Sequence, residues 1–196
     1  ARSGRAVALD STLLHASGGV WHKKHRDAGE VPHSRIDTEA AWTKSGYHGW
    51  VYGWKLHLAV TVASVWIPVA ACLRPANEAD NFVAEDLIPE VPFETRFLLG
   101  DTHYNAPNVR TVCALRDLFL VTTKRGTYPH RDEGAQVRSV FHKLRSVANE
   151  NFNEQFKAIF NGHDRVPTKG LVATQRYALG AVLVYQLVLW HRYEQR

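Results

Sequence analysis

The sequence has no methionine, only two cysteines and no long uninterrupted apolar run among its 196 residues. Cys72 and Cys113 both lie in apolar stretches, which indicates reduced thiols and excludes the dense disulfide framework of a small secreted protein. The longest apolar stretch, residues 177–190, is shorter than the roughly 20 residues that a bilayer-spanning helix needs. Because it also contains Gly180 and Gln186, we predict a buried helix and no membrane association.

The composition is that of a folded domain, with 45% hydrophobic, 11% aromatic and 22% charged residues. These values exclude intrinsic disorder and coiled coil, and neither a signal peptide nor a low-complexity tract is visible. We therefore predict a single domain over residues 1–196. The polar and basic segment 17–45 is long for a loop, and we expect it to be mobile. With no methionine at its start, we also expect the chain to be a piece of a longer protein.

The net charge of +5 is unevenly distributed along the chain. Lysine and arginine are in excess over residues 1–60 and 121–196, whereas aspartate and glutamate are in excess over residues 61–120. Basic segments on both sides of an acidic one suit a protein that holds a polyanion beside a carboxylate site. An ordinary solvated surface is the alternative interpretation.

Apolar periodicity predicts an alternation of strands and helices. We expect a strand at 7–9 that ends at Asp10, a hairpin of strands at 53–62 and 66–73, and a helix at 81–90 with Asp80 or Asn81 as its N-cap. Further along the chain we expect strands at 97–99 and 118–121 and helices at 107–116, 137–160 and 174–193. This order indicates an α/β fold with a mixed sheet flanked by helices.

Two acidic residues directly follow apolar strand segments. Asp10 comes after Val-Ala-Leu, and Asp101 comes after Phe-Leu-Leu-Gly. If the two strands are neighbours, their ends place both carboxylates on one rim of the sheet, where ligands bind in α/β folds. Carboxylate oxygens there suit Mg²⁺ or Mn²⁺. The alternative is that each aspartate is a turn or capping residue.

The helix predicted at 137–160 supplies a third acidic candidate. Its apolar stripe consists of Phe152, Phe156, Ile159 and Phe160, and an almost opposite polar stripe consists of Glu150, Asn153, Glu154 and Lys157. Glu150 is therefore directed away from the core and is free to face a groove. The same pattern also fits an ordinary solvated helix face.

Four segments together resemble the DDE transposases of bacterial and archaeal insertion sequences. They are Leu-Asp-Ser-Thr at 9–12, Tyr-Gly-Trp-Lys-Leu-His at 52–57, Leu-Leu-Gly-Asp-Thr-His-Tyr at 98–104, and Asn-Glu-Asn-Phe-Asn-Glu-Gln-Phe-Lys at 149–157. The resemblance implies a ribonuclease H-like fold. It also implies that Asp10, Asp101 and Glu150 form a catalytic triad that binds Mg²⁺ or Mn²⁺, with two ions expected.

The helix signature of that family is Tyr, two residues, Arg, three residues, Glu, six residues, Lys. Glu150 and Lys157 keep the last spacing, which favours Glu150 over Glu154 as the third acid. Arg145 stands one place earlier than the signature requires, so its role stays open. No tyrosine occupies the first position, and the chain has His103, Tyr104 and Asn105 where the family often shows Gly-Tyr-Asp.

The activity implied by the resemblance is metal-dependent cleavage of DNA at element ends, followed by strand transfer. The expected partners are double-stranded DNA and a second copy of the chain on DNA, in a cytoplasmic prokaryotic protein whose upstream DNA-binding region is missing. The residues that we expect to contact DNA are Lys124, Arg125, Lys143, Arg145 and Lys157. Two alternatives stay open: a nuclease that cleaves without joining, and an inactive copy that only binds DNA.

A cluster of tryptophans precedes and enters the predicted hairpin. Trp42, Trp50 and Trp54 could stack on an unpaired base, as aromatic side chains do in some nucleic-acid enzymes. Core packing is the interpretation that we favour.

Overall fold

The computed structural model describes residues 5–46, 48–62, 65–122, 135–159 and 165–195, with side chains described over 139–157 in the fourth range. Six strands lie within these ranges: β1 (Ala6–His15), β2 (Ala41–Ser45), β3 (Gly49–Thr61), β4 (Pro68–Pro75), β5 (Phe97–Gly100) and β6 (Phe119–Thr122). The helices are α1 (Lys23–Asp27), α2 (Asp80–Leu87), α3 (Pro107–Leu115), α4 (Ala135–Ile159) and α5 (Leu171–Glu194).

The strands form one mixed sheet in the order β2-β3-β1-β5-β6, and β4 pairs with β3 beyond the end of β2. The first four strands are joined by antiparallel ladders, whereas β1, β5 and β6 run parallel to one another. A mixed six-stranded sheet flanked by helices confirms the predicted α/β class and is consistent with a ribonuclease H-like fold.

Helices cover both faces of the sheet. On one face α4 and α5 pack against inward residues of β3, with Phe152 and Tyr185 fully buried over Leu56 and Leu58. On the other face α2 and α3 pack against β1 and β5, in a core that includes Leu9. The sheet is therefore the middle layer between two layers of helices.

The strand predicted to end at Asp10 continues to His15, so Asp10 lies in the middle of β1. The acidic residue does not end the strand because β3 pairs with β1 continuously from Val7 to His15, and this ladder includes Asp10 opposite Leu58. Alternation of side chains then directs Asp10 towards the face that α4 covers. Its carboxylate therefore lies on the sheet surface and not in a terminal turn.

The N-cap of the second helix also differs from the prediction. α2 begins at Asp80, its N-cap residue is Ala79, and no side chain caps it. Asp80 does not cap the helix because its carboxylate is engaged by side chains of β1 and β3. The prediction that Asp80 or Asn81 is the N-cap was wrong.

The helix α5 is buried along one side only. Ala178, Val182 and Tyr185 are buried, whereas Leu183 and Trp190 are 55% and 61% exposed. The expectation of a buried helix is therefore correct for the side that packs on β4 and wrong for the opposite side. By length and composition alone α5 could cross a membrane, but a single such helix is weak evidence.

The segment 17–45 contains α1 and ends in β2. The guanidinium of Arg165 donates to the carbonyl oxygens of Ala16 and Gly18, and the Trp42 indole donates to the Trp21 carbonyl oxygen. The Arg165 bond thus attaches the start of this segment to a distant part of the chain, and the Trp42 bond closes the segment on itself.

Candidate active site

Asp10 lies on β1, and Asp101 directly follows β5, the parallel neighbour of β1. The ladder between these strands ends with the pair Ala8 and Leu99, and each aspartate follows its member of this pair by two residues. Neighbouring strands are about 4.8 Å apart. Since Ala8 lies in a cluster with Ala148 of α4, Asp10, two residues later on the same strand, faces α4. The charge of Asp101 acts on the Asp10 carboxyl group, so the two predicted acids lie near each other.

The pKa of Asp10 is raised from 3.8 to about 6, and burial of the carboxyl group is the largest cause. The negative charges of Asp101 and Asp80 raise it further. The Ser11 backbone N–H, which donates to Oδ1 at 2.9 Å, and the positive charge of Arg145 oppose the rise. Asp10 is thus a largely buried carboxylate with little compensating positive charge, which a nearby cation would stabilise.

Arg145 of α4 lies over Asp10. Its Nη1 is 3.8 Å from Asp10 Oδ2, and the Arg145 and Asp10 side chains are 13% and 33% exposed. The Nε of Arg145 is buried and has no hydrogen-bond partner within the described part of the chain. The role of Arg145 could not be predicted from the sequence, and the structure places its charge beside Asp10.

Asp101 is the N-cap of a short 3₁₀ turn, Thr102–Tyr104. Its Oδ1 accepts a hydrogen bond from the His103 backbone N–H at 2.7 Å, and its Oδ2 is 3.0 Å from His103 Nδ1. The His103 side chain is 59% exposed. Both interpretations of Asp101, capping residue and site residue, are therefore compatible, because the cap also fixes the direction of the carboxylate.

Glu150 is exposed on α4. It lies five residues after Arg145, which at 3.6 residues per turn places it about 140° around the helix from the side that faces Asp10. Phe152 and Phe156 are buried, as their predicted stripe requires, whereas the side chains of Ile159 and Phe160 lie outside the described residues. Glu154 is exposed like Glu150.

The position one turn after Arg145 on the same side of α4 is Asn149. Its side chain is 2% exposed, and neither its amide oxygen nor its amide nitrogen has a hydrogen-bond partner among the described residues. Asn153, one further turn along, has a buried amide oxygen that also lacks a hydrogen-bond partner among the described residues. Unsatisfied buried amides are costly, so their presence on the side of α4 that carries Arg145 marks this side as a polar site. Asn149 was not predicted from the sequence, although its spacing of four from Arg145 was visible.

A second polar group lies beneath Asp10, on the opposite face of the sheet. Asp80 Oδ1 accepts hydrogen bonds from Lys55 Nζ at 3.0 Å and from Ser11 Oγ at 3.2 Å, and it is 3.5 Å from His57 Nδ1. His57 is fully buried, and burial lowers its pKa to about 4, so its ring is neutral at pH 7. Lys55 and His57 belong to the segment Tyr-Gly-Trp-Lys-Leu-His at 52–57, and the sequence alone did not predict a role for them.

The two neighbouring carboxylates suit a divalent ion. Mg²⁺ usually takes one or two protein carboxylates and completes its shell with water and phosphate, and Asp10 and Asp101 supply two hard oxygen ligands on one face. Within the described ranges, no group of three histidine, cysteine, aspartate or glutamate side chains is close enough to hold a metal ion. The site therefore fits a metal through its two aspartates, and Glu150 is not part of the cluster in this conformation.

The expected DNA-contacting residues are distributed along α4 and the segment before it. Lys143 is exposed, Lys157 is half-buried on the same stripe as Glu150, and Arg145 is largely buried against Asp10. Lys124 and Arg125 lie outside the described residues. Of the three tryptophans, Trp54 is fully buried, which confirms core packing for it, whereas Trp50 is 66% exposed.

Comparison with known families identifies the chain. The model of the transposase DDE domain family matches residues 1–187, which include both strands and the helix that carry the three acids. A search of curated proteins finds no significant match. The family match over nearly the whole chain leads to one conclusion: the chain belongs to the transposase DDE domain family.

Proposed function

We propose that this chain is a catalytic domain that cleaves DNA at the ends of an insertion sequence and joins the released 3′ end to target DNA. The observation that supports this proposal most strongly is that Asp101, directly after β5, lies close enough to Asp10 of the neighbouring strand β1 for its charge to act on the Asp10 carboxyl group. Family membership supports a transposase-type function on DNA. The basic excess over residues 121–196 supplies charge for the phosphate backbone.

In this proposal Asp10, Asp101 and Glu150 hold two Mg²⁺ or Mn²⁺ ions. Bound ions would supply the charge that makes water a nucleophile and that stabilises the leaving 3′ oxygen. Asp10 and Asp101 orient these ions from the sheet, and His103 fixes the Asp101 carboxylate through two contacts. Without DNA, Glu150 faces away from Asp10. In this proposal it therefore joins the two aspartates after α4 shifts on DNA.

The basic residues position the DNA in this proposal. Lys157 lies seven residues after Glu150, so the two share one side of α4 and Lys157 contacts a phosphate close to the scissile bond. Arg145 and Lys143 extend this surface, and Lys124 and Arg125 precede it in sequence. Such contacts give affinity without sequence specificity, and two copies of the chain on paired ends complete the active complex.

The test is a DNA cleavage and joining assay with Mn²⁺, in which an oligonucleotide with a pre-cut 3′ end is offered with a supercoiled plasmid. Asp10→Asn and Asp101→Asn should each lower nicking and joining by at least about 100-fold, since each carboxylate helps to hold the ions. Glu150→Gln should do the same, whereas its matched control Glu154→Gln should keep most of the activity. Cleavage without joined product would instead identify a nuclease.

A second candidate function is DNA binding without catalysis. The exposed position of Glu150 and the absence of a three-ligand group among the described residues favour this candidate. It predicts that the chain binds DNA and that neither Asp10→Asn nor Asp101→Asn changes any DNA product. Fluorescence anisotropy with labelled DNA, measured on the same samples as the cleavage assay, separates the two candidates.

A further inference from the structure

The charges around Asp10 are mainly negative. Asp101 and Asp80 both act on its carboxylate, and the positive charge that acts on it is that of Arg145. Lys55 is already bound to Asp80 and to the Glu78 carbonyl oxygen, on the other face of the sheet. Arg145 therefore provides the compensation for Asp10 on the face where the aspartate pair would take a metal ion.

The contact between Arg145 and Asp10 is loose for an ion pair that is largely buried. The closest nitrogen and oxygen are 3.8 Å apart, beyond the 2.7–2.9 Å of a charge-assisted hydrogen bond. The Nε donor of the same guanidinium is buried without a hydrogen-bond partner in the described part of the chain. Arg145 thus neutralises Asp10 through charge and does not clamp it with directed hydrogen bonds.

A small pocket lies beside the guanidinium. It borders Arg145 and is lined by Gly100, Thr122, Phe141 and His142, among others. Gly100 directly precedes Asp101, so the pocket adjoins the segment that carries the second aspartate. Because the Arg145 side chain has several rotatable bonds, its guanidinium can turn away from Asp10 without unfolding α4.

We propose that Arg145 is a built-in substitute for the divalent cation: its guanidinium neutralises Asp10 in the metal-free chain and moves away when a metal ion binds to Asp10 and Asp101. This inference rests on the proposed metal site and adds a competition between a side chain and the ion. Arg145 is then a positioning residue that keeps the aspartates side by side before the ion and DNA arrive. The released guanidinium becomes available to a phosphate.

The proposed competition between Arg145 and the ion predicts the direction in which Mn²⁺ affinity changes when Arg145 is replaced. Because like charges a few ångströms apart repel strongly even at an effective dielectric constant of about 20, removing the Arg145 charge should tighten Mn²⁺ binding by about tenfold. Arg145→Lys keeps the charge and should leave the affinity within about twofold of the wild-type value. If Arg145 were only a structural clamp for Asp10, its loss would weaken Mn²⁺ binding or leave it unchanged.

The experiment measures Mn²⁺ affinity of the full chain by electron paramagnetic resonance of the free ion. The samples are wild type, Arg145→Gln, Arg145→Lys and the matched control Arg176→Gln, which removes an exposed arginine of α5. Tighter binding by Arg145→Gln alone supports the proposal, and equal or weaker binding overturns it. Mn²⁺ binding that survives Asp10→Asn would overturn the metal site itself, and with it the proposed function.

A second measurement uses the wild-type chain and so does not depend on the stability of Arg145→Gln. In ¹⁵N-edited NMR, the Nε–H resonance of Arg145 is assigned by its loss in Arg145→Lys. Addition of Mg²⁺ should shift this resonance in wild type, and the shift should be lost in Asp10→Asn. An unchanged Arg145 resonance while Mg²⁺ binds in an Asp10-dependent manner overturns the proposal and leaves the proposed function intact.

Discussion

Replacing Asp10 by asparagine should stabilise the metal-free chain at neutral pH, although it removes a proposed catalytic group. The Asp10 carboxyl group has a pKa of about 6 in the folded chain, above its ordinary value of 3.8. The folded state therefore retains a proton between these two pH values that the unfolded chain has released. Because the folded state binds more protons, the free energy of unfolding falls as pH rises through this window.

The difference between the Asp10 pKa values in the folded and unfolded states sets the size of the stabilisation by Asp10→Asn. A difference of 2.2 between the two pKa values corresponds to about 3 kcal/mol at pH 7.5, where Asp10 is ionised in both states. Since a third of the Asp10 side chain is exposed, water screens part of this penalty, and we expect about 1–2 kcal/mol of stabilisation by Asp10→Asn. At pH 4, where the folded state is protonated, the gain should fall to about 0.5 kcal/mol or less.

The assay is urea-induced unfolding of wild type and Asp10→Asn at pH 7.5 and pH 4 without divalent metal. Asp27→Asn, which removes an exposed carboxylate at the end of α1, serves as the matched control and should change stability by less than about 0.5 kcal/mol at either pH. Saturating Mg²⁺ should reverse the order of wild type and Asp10→Asn, because the ion stabilises only the carboxylate. Destabilisation by Asp10→Asn at pH 7.5 without metal would refute the reasoning.

Three further substitutions test the packing around the site by chemical denaturation. Gly100→Ala should destabilise the chain by about 1–3 kcal/mol, because an added Cβ would lie 2.7 Å from the Tyr104 Cβ. Lys55→Met should cost about 2–3 kcal/mol, since it leaves the largely buried Asp80 carboxylate without its cation. Asn149→Leu should stabilise the metal-free chain by about 1–2 kcal/mol, because it removes two unsatisfied buried amide atoms.

Matched controls exist for two of these substitutions. Gly46→Ala adds a Cβ that meets no atom within 4 Å, so it should not reproduce the loss caused by Gly100→Ala. Lys44→Met removes an exposed lysine from β2 and should be close to neutral. Destabilisation by Asn149→Leu would show that the Asn149 amide has hydrogen-bond partners in the folded chain. If Gly100→Ala or Lys55→Met lost no more stability than its control, the contact assigned to that residue would be contradicted.

Periodicity was sufficient to predict most of the elements. The hairpin at 53–62 and 66–73 is confirmed as β3 and β4, and the apolar stripe of Phe152 and Phe156 is confirmed in α4. The continuation of β1 past Asp10 could not be predicted, because the ladder with β3 overrides the local preference of an acidic residue for turns. Strand β2 escaped prediction because its five residues lie in a segment dominated by polar and basic side chains.

The acidic residues of the candidate site could be predicted from the sequence, whereas the residues that surround them could not. Asp10 and Asp101 were recognisable because each follows an apolar sequence segment, and the two segments form the neighbouring parallel strands β1 and β5. Contacts between distant segments, such as Ser11 and Lys55 with Asp80, depend on tertiary structure and leave no local pattern. The position of Arg145 over Asp10 likewise depends on where α4 crosses the sheet.

The central claim is that Asp10 and Asp101 together hold a catalytic divalent ion. The most direct measurement is a crystal of the chain soaked in Mn²⁺, with anomalous diffraction data and Asp101→Asn as the control. The claim predicts an anomalous peak about 2.0–2.3 Å from an oxygen of each aspartate in wild type and no peak in the control. Well-ordered carboxylates with no manganese between them at saturating Mn²⁺, or a peak that persists in Asp101→Asn, would contradict it.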